Sequence, residues 1–245
     1  MSTLSRFTDA IAAAEASGTM GAELLPERLA MACLAALPVD GAGMSVLFAP
    51  DRRLPLGASS AMAADAERLQ FTVGAGPCLA AAATRAPVLA SEAELASRWP
   101  GFHAGLVENT DYRSVASLPL AGGLAGIGTV DLYLTPPHGL DEIGLGDALA
   151  VVGEISSVFT GAMAHASRGA ETPAWLDAPP AGRRAQVWVA IGVLNAELGV
   201  TSPQALSLLR ASAYAADLDV DQLAAEVVSG RRSAEDLRPV GDLPD

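Results

Sequence analysis

The sequence predicts an α+β body, a largely antiparallel sheet flanked by helices, followed by an all-α three-helix module. Three observations predict it. Up to about residue 168 the patterns run helix, strand, strand, helix, strand, helix, strand, strand, helix. The segment ETPAWLDAPPAG, 171–182, then sets three prolines and a glycine between two helical patterns. Beyond it, three helical patterns follow one another with short joints.

The first framing helix is predicted at 24–37, with Pro26 tolerated in its first turn. Strands follow at 43–49 and 54–59, joined by PDRR at 50–53, a turn with proline at its start. The remaining strands are placed at 87–90, 113–120 and 126–134, and residues 60–112 supply covering elements between them. A long helix at 141–167 repeats apolar residues at three, four and seven through Ile143, Ala150, Val151, Ile155, Val158, Phe159 and Ala162. That stripe fits packing on the sheet or pairing with a second copy.

In the module, 183–198 carries Val187, Ala190, Ile191, Leu194 and Leu198 on one stripe and Val189, Val193 and Ala196 on another, so it must be covered on more than one side. Gly192 in its middle predicts that a ring or backbone approaches there, with Trp188 the neighbour one turn away. Gly199 stops this helix, and Thr201-Ser202-Pro203 starts the next. Asp219 with Gln222 starts the third, whose stripe is Val220, Leu223, Ala224, Val227 and Val228, and Gly230 ends it. The expected organisation is an α+β domain at 1–168, a Pro-rich linker at 169–182, the module at 183–238 and a tail at 239–245.

Composition narrows the function. The chain has 245 residues, 51% hydrophobic and 18% charged, which excludes general disorder, and no uncharged apolar run approaches the length of a membrane span. The N-terminus carries Arg6, Asp9 and Glu15 and lacks a signal-peptide pattern, so a cytoplasmic protein with no membrane partner is expected. Cys33 and Cys78 are the only cysteines and His103, His138 and His165 are dispersed, so no disulfide framework, metal site or cofactor is implied. All 15 basic residues are arginine, against 28 acidic ones, a net charge of −13. Such a surface repels polyanions at long range, so nucleic-acid binding requires a local patch. Residues 1–180 carry nine Arg against 19 acids, while 181–245 carry six against nine, a less acidic half.

The run VAIGVLNAELGVTSPQALSLLRASAYAADLDVDQLAAEVV at 189–228 resembles the ANTAR domain, through Ala190, Gly192, Leu194, Ala205-Leu206, Leu209-Arg210, Ala213, Leu223-Ala224 and Val227-Val228. Upstream, GPC at 76–78, RWPGF at 98–102, RSVASLPL at 113–120 and GTVDLY at 128–133 resemble the GAF domain that accompanies such modules in actinobacteria. The resemblance implies a signal-responsive regulator of transcription antitermination. Its GAF-like sensor would take a small-molecule ligand, and its dimeric ANTAR-like module would hold paired RNA hairpins in nascent leader transcripts. Arginine on phosphate and aromatic stacking on splayed bases would do the reading. Arg183, Arg184, Arg210, Tyr214, Arg231 and Arg232 are the available groups, the first two sitting at a helix N-terminus where the dipole disfavours cations. Ile191 stands where the family carries a lysine, and Ala215-Ala216-Asp217 replaces polar residues after the second helix.

In the sensor, the candidate pocket liners are Phe71, Cys78, Leu79, Trp99, Phe102 and His103, with Arg113 and Asp131 as polar contacts. Cys78 at the start of a short helix could be a thiol activated by the helix dipole or an inert buried one. Two other functions stay open: a signalling protein acting through protein partners, and a thiol-dependent free methionine sulfoxide reductase pairing Cys78 with Cys33. No phosphate loop or catalytic triad is present, and a non-enzymatic role is expected.

Overall fold

The computed structural model describes residues 1–17, 21–49, 52–169, 172–177 and 179–238. Pro50 and Asp51 of the predicted turn, residues 170, 171 and 178 of the expected linker, and the tail 239–245 lie outside the described residues. Five antiparallel strands, β1 (Gly41–Ala49), β2 (Arg52–Ala58), β3 (Val88–Ala90), β4 (Ser114–Pro119) and β5 (Gly128–Leu134), form one sheet in the order β2-β1-β5-β4-β3. The predicted strands all form, with ends that differ by one or two residues.

Alternation gives this sheet two different faces. Val130, Leu132 and Leu134 of β5 point to one side with Met44, Leu56 and Leu118, under α1 (Thr3–Ser17), α2 (Leu25–Ala36) and α7 (Leu145–Gly169). Phe7, Leu29, Cys33, Val151, Ile155 and Phe159 close that core, each large side chain contributing about 1.5 to 3 kcal/mol on burial. Helix α1 is not among the predicted elements; its Ala-rich pattern is weak, yet it buries Phe7 completely. Among the described residues α7 alone has the length and apolar composition of a membrane span, and here it lies on the sheet through Val151, Val152, Ile155 and Phe159.

The other side faces α3 (Ala61–Val73), α4 (Pro77–Thr84), α5 (Glu92–Arg98) and α6 (Pro100–Asn109). Ser60 caps α3 by accepting from the Ala63 N–H at 3.1 Å, and Ser91 with Glu94 forms a capping box on α5. Leu95, Phe102, Leu106, Tyr112 and Val115 fill the outer part of this side, and Tyr112 stacks on Tyr133 with ring centres 4.9 Å apart. The middle is polar.

The C-terminal module consists of α8 (Pro179–Leu198), α9 (Ser202–Ala215) and α10 (Val220–Val228). The predicted caps form: Gln204 Oε1 accepts from the Thr201 N–H at 2.8 Å, Asp219 Oδ1 from the Gln222 N–H at 2.7 Å, and Gly199 and Gly230 take left-handed conformations at φ 70° and 73°. Three expectations are corrected. The described residues of the segment expected as a linker are folded: Trp175 packs edge-on against Phe159 with centres 5.3 Å apart, and α8 starts at Pro179 because proline suits a first helical turn. Arg183 and Arg184 therefore sit in the second turn of α8, past the end of the helix dipole. Gly192 is exposed, with nothing within 4 Å of where a Cβ would stand; Trp188 packs instead on Phe71, edge to face at 6.3 Å.

Candidate functional site

The polar middle of the second sheet face is a closed network of side chains. Register puts Ser45 opposite Thr129, and Asp131 between Gly43 and Ser117, all on the side where Tyr133 also points. Arg53 of β2 reaches into this row, fully buried, and ion-pairs with Glu67 of α3 while its Nη1 donates to the Glu67 carbonyl at 2.5 Å. Tyr133 donates to Glu67 Oε1 at 2.7 Å, and Gln70 donates to Asp131 Oδ2 at 2.8 Å. Gly43 leaves the space that Glu67 occupies, since a Cβ there would stand 2.5 Å from the Glu67 carboxyl carbon. Asp131 Oδ1 and Ser117 Oγ are buried without a hydrogen-bond partner.

Burial and then the neighbouring Glu67 push Asp131 well above the usual carboxylate range, with Arg53 pulling the other way. Burial works to lower the Arg53 guanidinium, but Cys78, Glu67, Asp131 and Tyr133 around it raise it overall, so it stays charged. The network is thus a buried cation held by one close carboxylate, with a second carboxyl that resists ionising.

Cys78 belongs to this network. Its Sγ accepts from Arg53 Nε at 3.1 Å and from the Thr129 hydroxyl at 3.4 Å, and its backbone N–H donates to Gln70 Oε1 at 3.0 Å. Burial pushes the thiol up to about 12, with Arg53 only partly offsetting it. The position at the start of α4 therefore does not activate it, because complete desolvation outweighs the dipole. Cys33 is likewise pushed up to about 12 by burial. It lies in the apolar core on the opposite side of the sheet, so the two cannot meet as nucleophile and resolving partner.

The remaining candidate pocket residues scatter. Phe102 is fully buried among Leu95, Leu106 and Tyr112, and Trp99 is half-buried with the Arg98 guanidinium 4.2 Å from its ring centre. His103 and Arg113 both approach Glu92, at 3.6 and 3.8 Å, and Arg113 donates to the Thr110 and Tyr112 carbonyls. Phe71 lines no pocket of the N-terminal body: it is buried in the core cluster of the module.

Helix α3 thus has two occupied sides. Glu67 and Gln70 point into the network, and Arg68, Phe71 and Thr72 point at the module. The Phe71 ring is covered by Arg184, whose guanidinium carbon stands 3.4 Å from the ring centre, and by Arg210 at 5.0 Å. Arg210 Nε also donates to the Phe71 carbonyl at 3.0 Å, capping the C-terminal turn of α3. Gly74, at φ 73°, ends α3 there, and a Cβ on it would stand 2.9 Å from that guanidinium. Thr72 Oγ1 accepts the Val220 N–H at the start of α10 at 3.2 Å, and Arg68 Nε pairs with Asp219 at 3.1 Å. Arg184 approaches Asp221 at 3.0 Å, yet none of its N–H groups is aligned for a hydrogen bond, and burial pushes its guanidinium down to about 9.

Of the six residues expected to contact RNA, Arg184 and Arg210 are therefore brought together on Phe71. Ile191 is buried on the stripe that Arg184 and Trp188 share. The others stand apart: Arg183 and Arg231 are exposed, and Arg232 pairs with Glu226 at 3.0 Å. Tyr214 is 75% exposed beside a groove of about 590 Å³ between α3, α6 and the module, lined by Asp65, Glu108, Asp217 and Asp219 as well as Arg68. Cys78 and Asp131 of the network are among the residues the sequence singles out, whereas Arg53, Glu67, Gln70, Ser45 and Thr129 are not. The glycine at 43 in an otherwise strand-forming run is the one signal that a side chain comes close there.

No protein-family model matches this chain, and no curated protein sequence matches it. Among solved structures, a domain of a putative two-component sensor histidine kinase from Sinorhizobium meliloti is similar at a TM-score of 0.49, with 17% identity over 61% of this chain and 98% of that one.

Proposed function

We propose that this chain is a signal-responsive RNA-binding regulator of transcription antitermination, working in the cytoplasm, in which the N-terminal α+β body is a sensor and the C-terminal three-helix module holds hairpins in leader RNA. The observation that carries the reading is the seat of Arg184 and Arg210 on α3 of the sensor. A sensor that grips the cationic side chains of an output module is placed to govern what that module binds. The resemblance of 189–228 to ANTAR domains supplies the class of ligand, and Arg183, Tyr214 and Arg231 supply further groups for phosphate and base contacts.

A second copy of the chain forms part of this reading. Helix α7 exposes Leu145, Leu149 and Met163, and at its Gly146, Gly153 and Gly161 nothing lies within 4 Å of where a Cβ would stand. Gly153 and Gly161, in the helix interior, each cost about 1 kcal/mol against alanine, a cost that close approach of a partner helix would explain.

A filter-binding titration with a leader RNA carrying two adjacent hairpins tests the function. Salt-sensitive binding that weakens about tenfold or more in an Arg183→Ala/Tyr214→Ala variant is expected. Absence of binding at low salt, or binding unaffected by that variant, overturns it.

A further inference from the structure

Phe71 stands at an unusual junction. It belongs to α3 of the sensor, yet its ring closes the core of the module and carries two guanidinium groups. Arg184 is fully buried there with Nε and both terminal nitrogens lacking hydrogen bonds, and Asp221 leaves Oδ1 unpartnered. A charge desolvated in this way is regained by water as soon as the contact opens. Arg210 packs on the same ring, and the two cations repel one another. The seam is therefore held by stacking, capping and the Arg68–Asp219 pair, while the burial of Arg184 beside Arg210 favours opening.

Closure also changes what surrounds the module's exposed aromatic. Asp65 of α3 and Glu108 of α6 join Asp217 and Asp219 along the groove at Tyr214, four acids against the one cation Arg68, which pairs with both Asp65 and Asp219. A phosphate backbone approaching Tyr214 in this arrangement meets an acidic wall supplied half by the sensor.

We infer that Phe71 is an autoinhibitory clasp: in the closed arrangement the sensor withholds Arg184 and Arg210 from RNA and sets its own carboxylates beside the exposed Tyr214, and release of α3 from the module frees both arginines and removes those carboxylates together. The inference rests on the proposed function for what is withheld, and on the geometry of the seam alone for the clasp. On its other side α3 presents Glu67 and Gln70 to the buried network, so Arg53 and Asp131 are hydrogen-bonded to the helix that carries Phe71.

The test uses the full chain as wild type, Phe71→Ala and Arg68→Ala, the last removing the ion pair to Asp219 across the seam while keeping the Thr72 acceptor and the module core. Hydrogen exchange is read at the Val220 amide, whose partner is Thr72, and at strands β4 and β5 as a control for folding. Affinity is read with the two-hairpin RNA at two salt concentrations. Expected is exchange at Val220 faster by about tenfold or more with the strands unchanged, RNA binding tighter by about tenfold, and a salt slope steeper by about 1.5, the signature of two more phosphate contacts. Unchanged exchange at Val220 in both variants overturns the clasp. Faster exchange with unaltered RNA affinity overturns autoinhibition. Absence of RNA binding in every variant overturns the proposed function, and Val220 exchange then decides the clasp by itself. Should strand exchange rise in Phe71→Ala, Arg68→Ala decides.

Discussion

The Arg184 guanidinium lies 3.4 Å from the centre of the Phe71 ring, and its carboxylate partner Asp221 approaches at 3.0 Å without an aligned hydrogen bond. Stacking on a ring suits a weakly hydrated guanidinium, but full burial demands more partners than Asp221 gives. A pair of this kind contributes less than apolar side chains of the same size.

Replacing the pair together, Arg184→Met with Asp221→Leu, should therefore leave stability unchanged or raise it by about 1 to 4 kcal/mol. Asp221→Asn alone strands a buried cation and should cost about 3 to 5 kcal/mol. Urea unfolding of both variants checks the opposite signs; a double variant markedly weaker than Asp221→Asn would contradict them.

The network should respond in a similarly divided way. Arg53→Met removes the cation from Glu67 and should cost about 3 to 5 kcal/mol. Asp131→Asn should be benign near neutral pH and its advantage should grow with pH. The raised Asp131 group keeps its proton in the folded state above the unfolded value of about 3.9, where the unfolded chain has released it, so rising pH weakens the wild type by up to about 1.4 kcal/mol per unit until the folded value is passed. Denaturation at pH 5 and pH 7 checks the trend, and a difference that shrinks with pH would refute it.

Neither cysteine should react in the native protein. With Cys33 and Cys78 both buried and pushed up to about 12, an aromatic disulfide reagent at pH 8 should label them only on unfolding. Rapid native labelling of Cys78 would reopen a thiol-based activity.

His138 offers a titration on the surface of the sheet's far end. Its Nδ1 lies 3.0 Å from Asp40 Oδ1, and that hydrogen bond, with the attraction of the same carboxylate, raises the imidazole above its ordinary 6.5. The contact therefore stabilises the fold fully below the unfolded value and loses that contribution as pH rises through the folded one. An NMR titration should show a midpoint above 6.5 that falls toward it in Asp40→Asn; the same midpoint in both proteins would contradict the pairing.

The elements are legible in the sequence where periodicity and caps agree: the strands, α7, and the module's joints at Gly199, Thr201, Asp219 and Gly230. Pro179 and Pro180 mislead, because prolines that interrupt a helix and prolines that begin one look alike without the neighbouring Trp175 packed in the core. The site is legible only in part. Apolarity marks Phe71 as buried but not which body buries it, and an arginine such as Arg53, beside a turn, reads as solvent-exposed until the fold brings Glu67 over it. Arg184 and Arg210 read as a surface for the same reason: burial of charge depends on tertiary partners that no local pattern records.

On the proposed function RNA and α3 would compete for the same side chains of the module, so by linkage each would weaken the other. The most direct measurement is hydrogen exchange at the Val220 amide of the wild-type chain with and without saturating two-hairpin RNA. RNA is expected to accelerate it, by drawing the population toward the open arrangement. Slower exchange, or an unaltered rate with RNA bound, would contradict this competition.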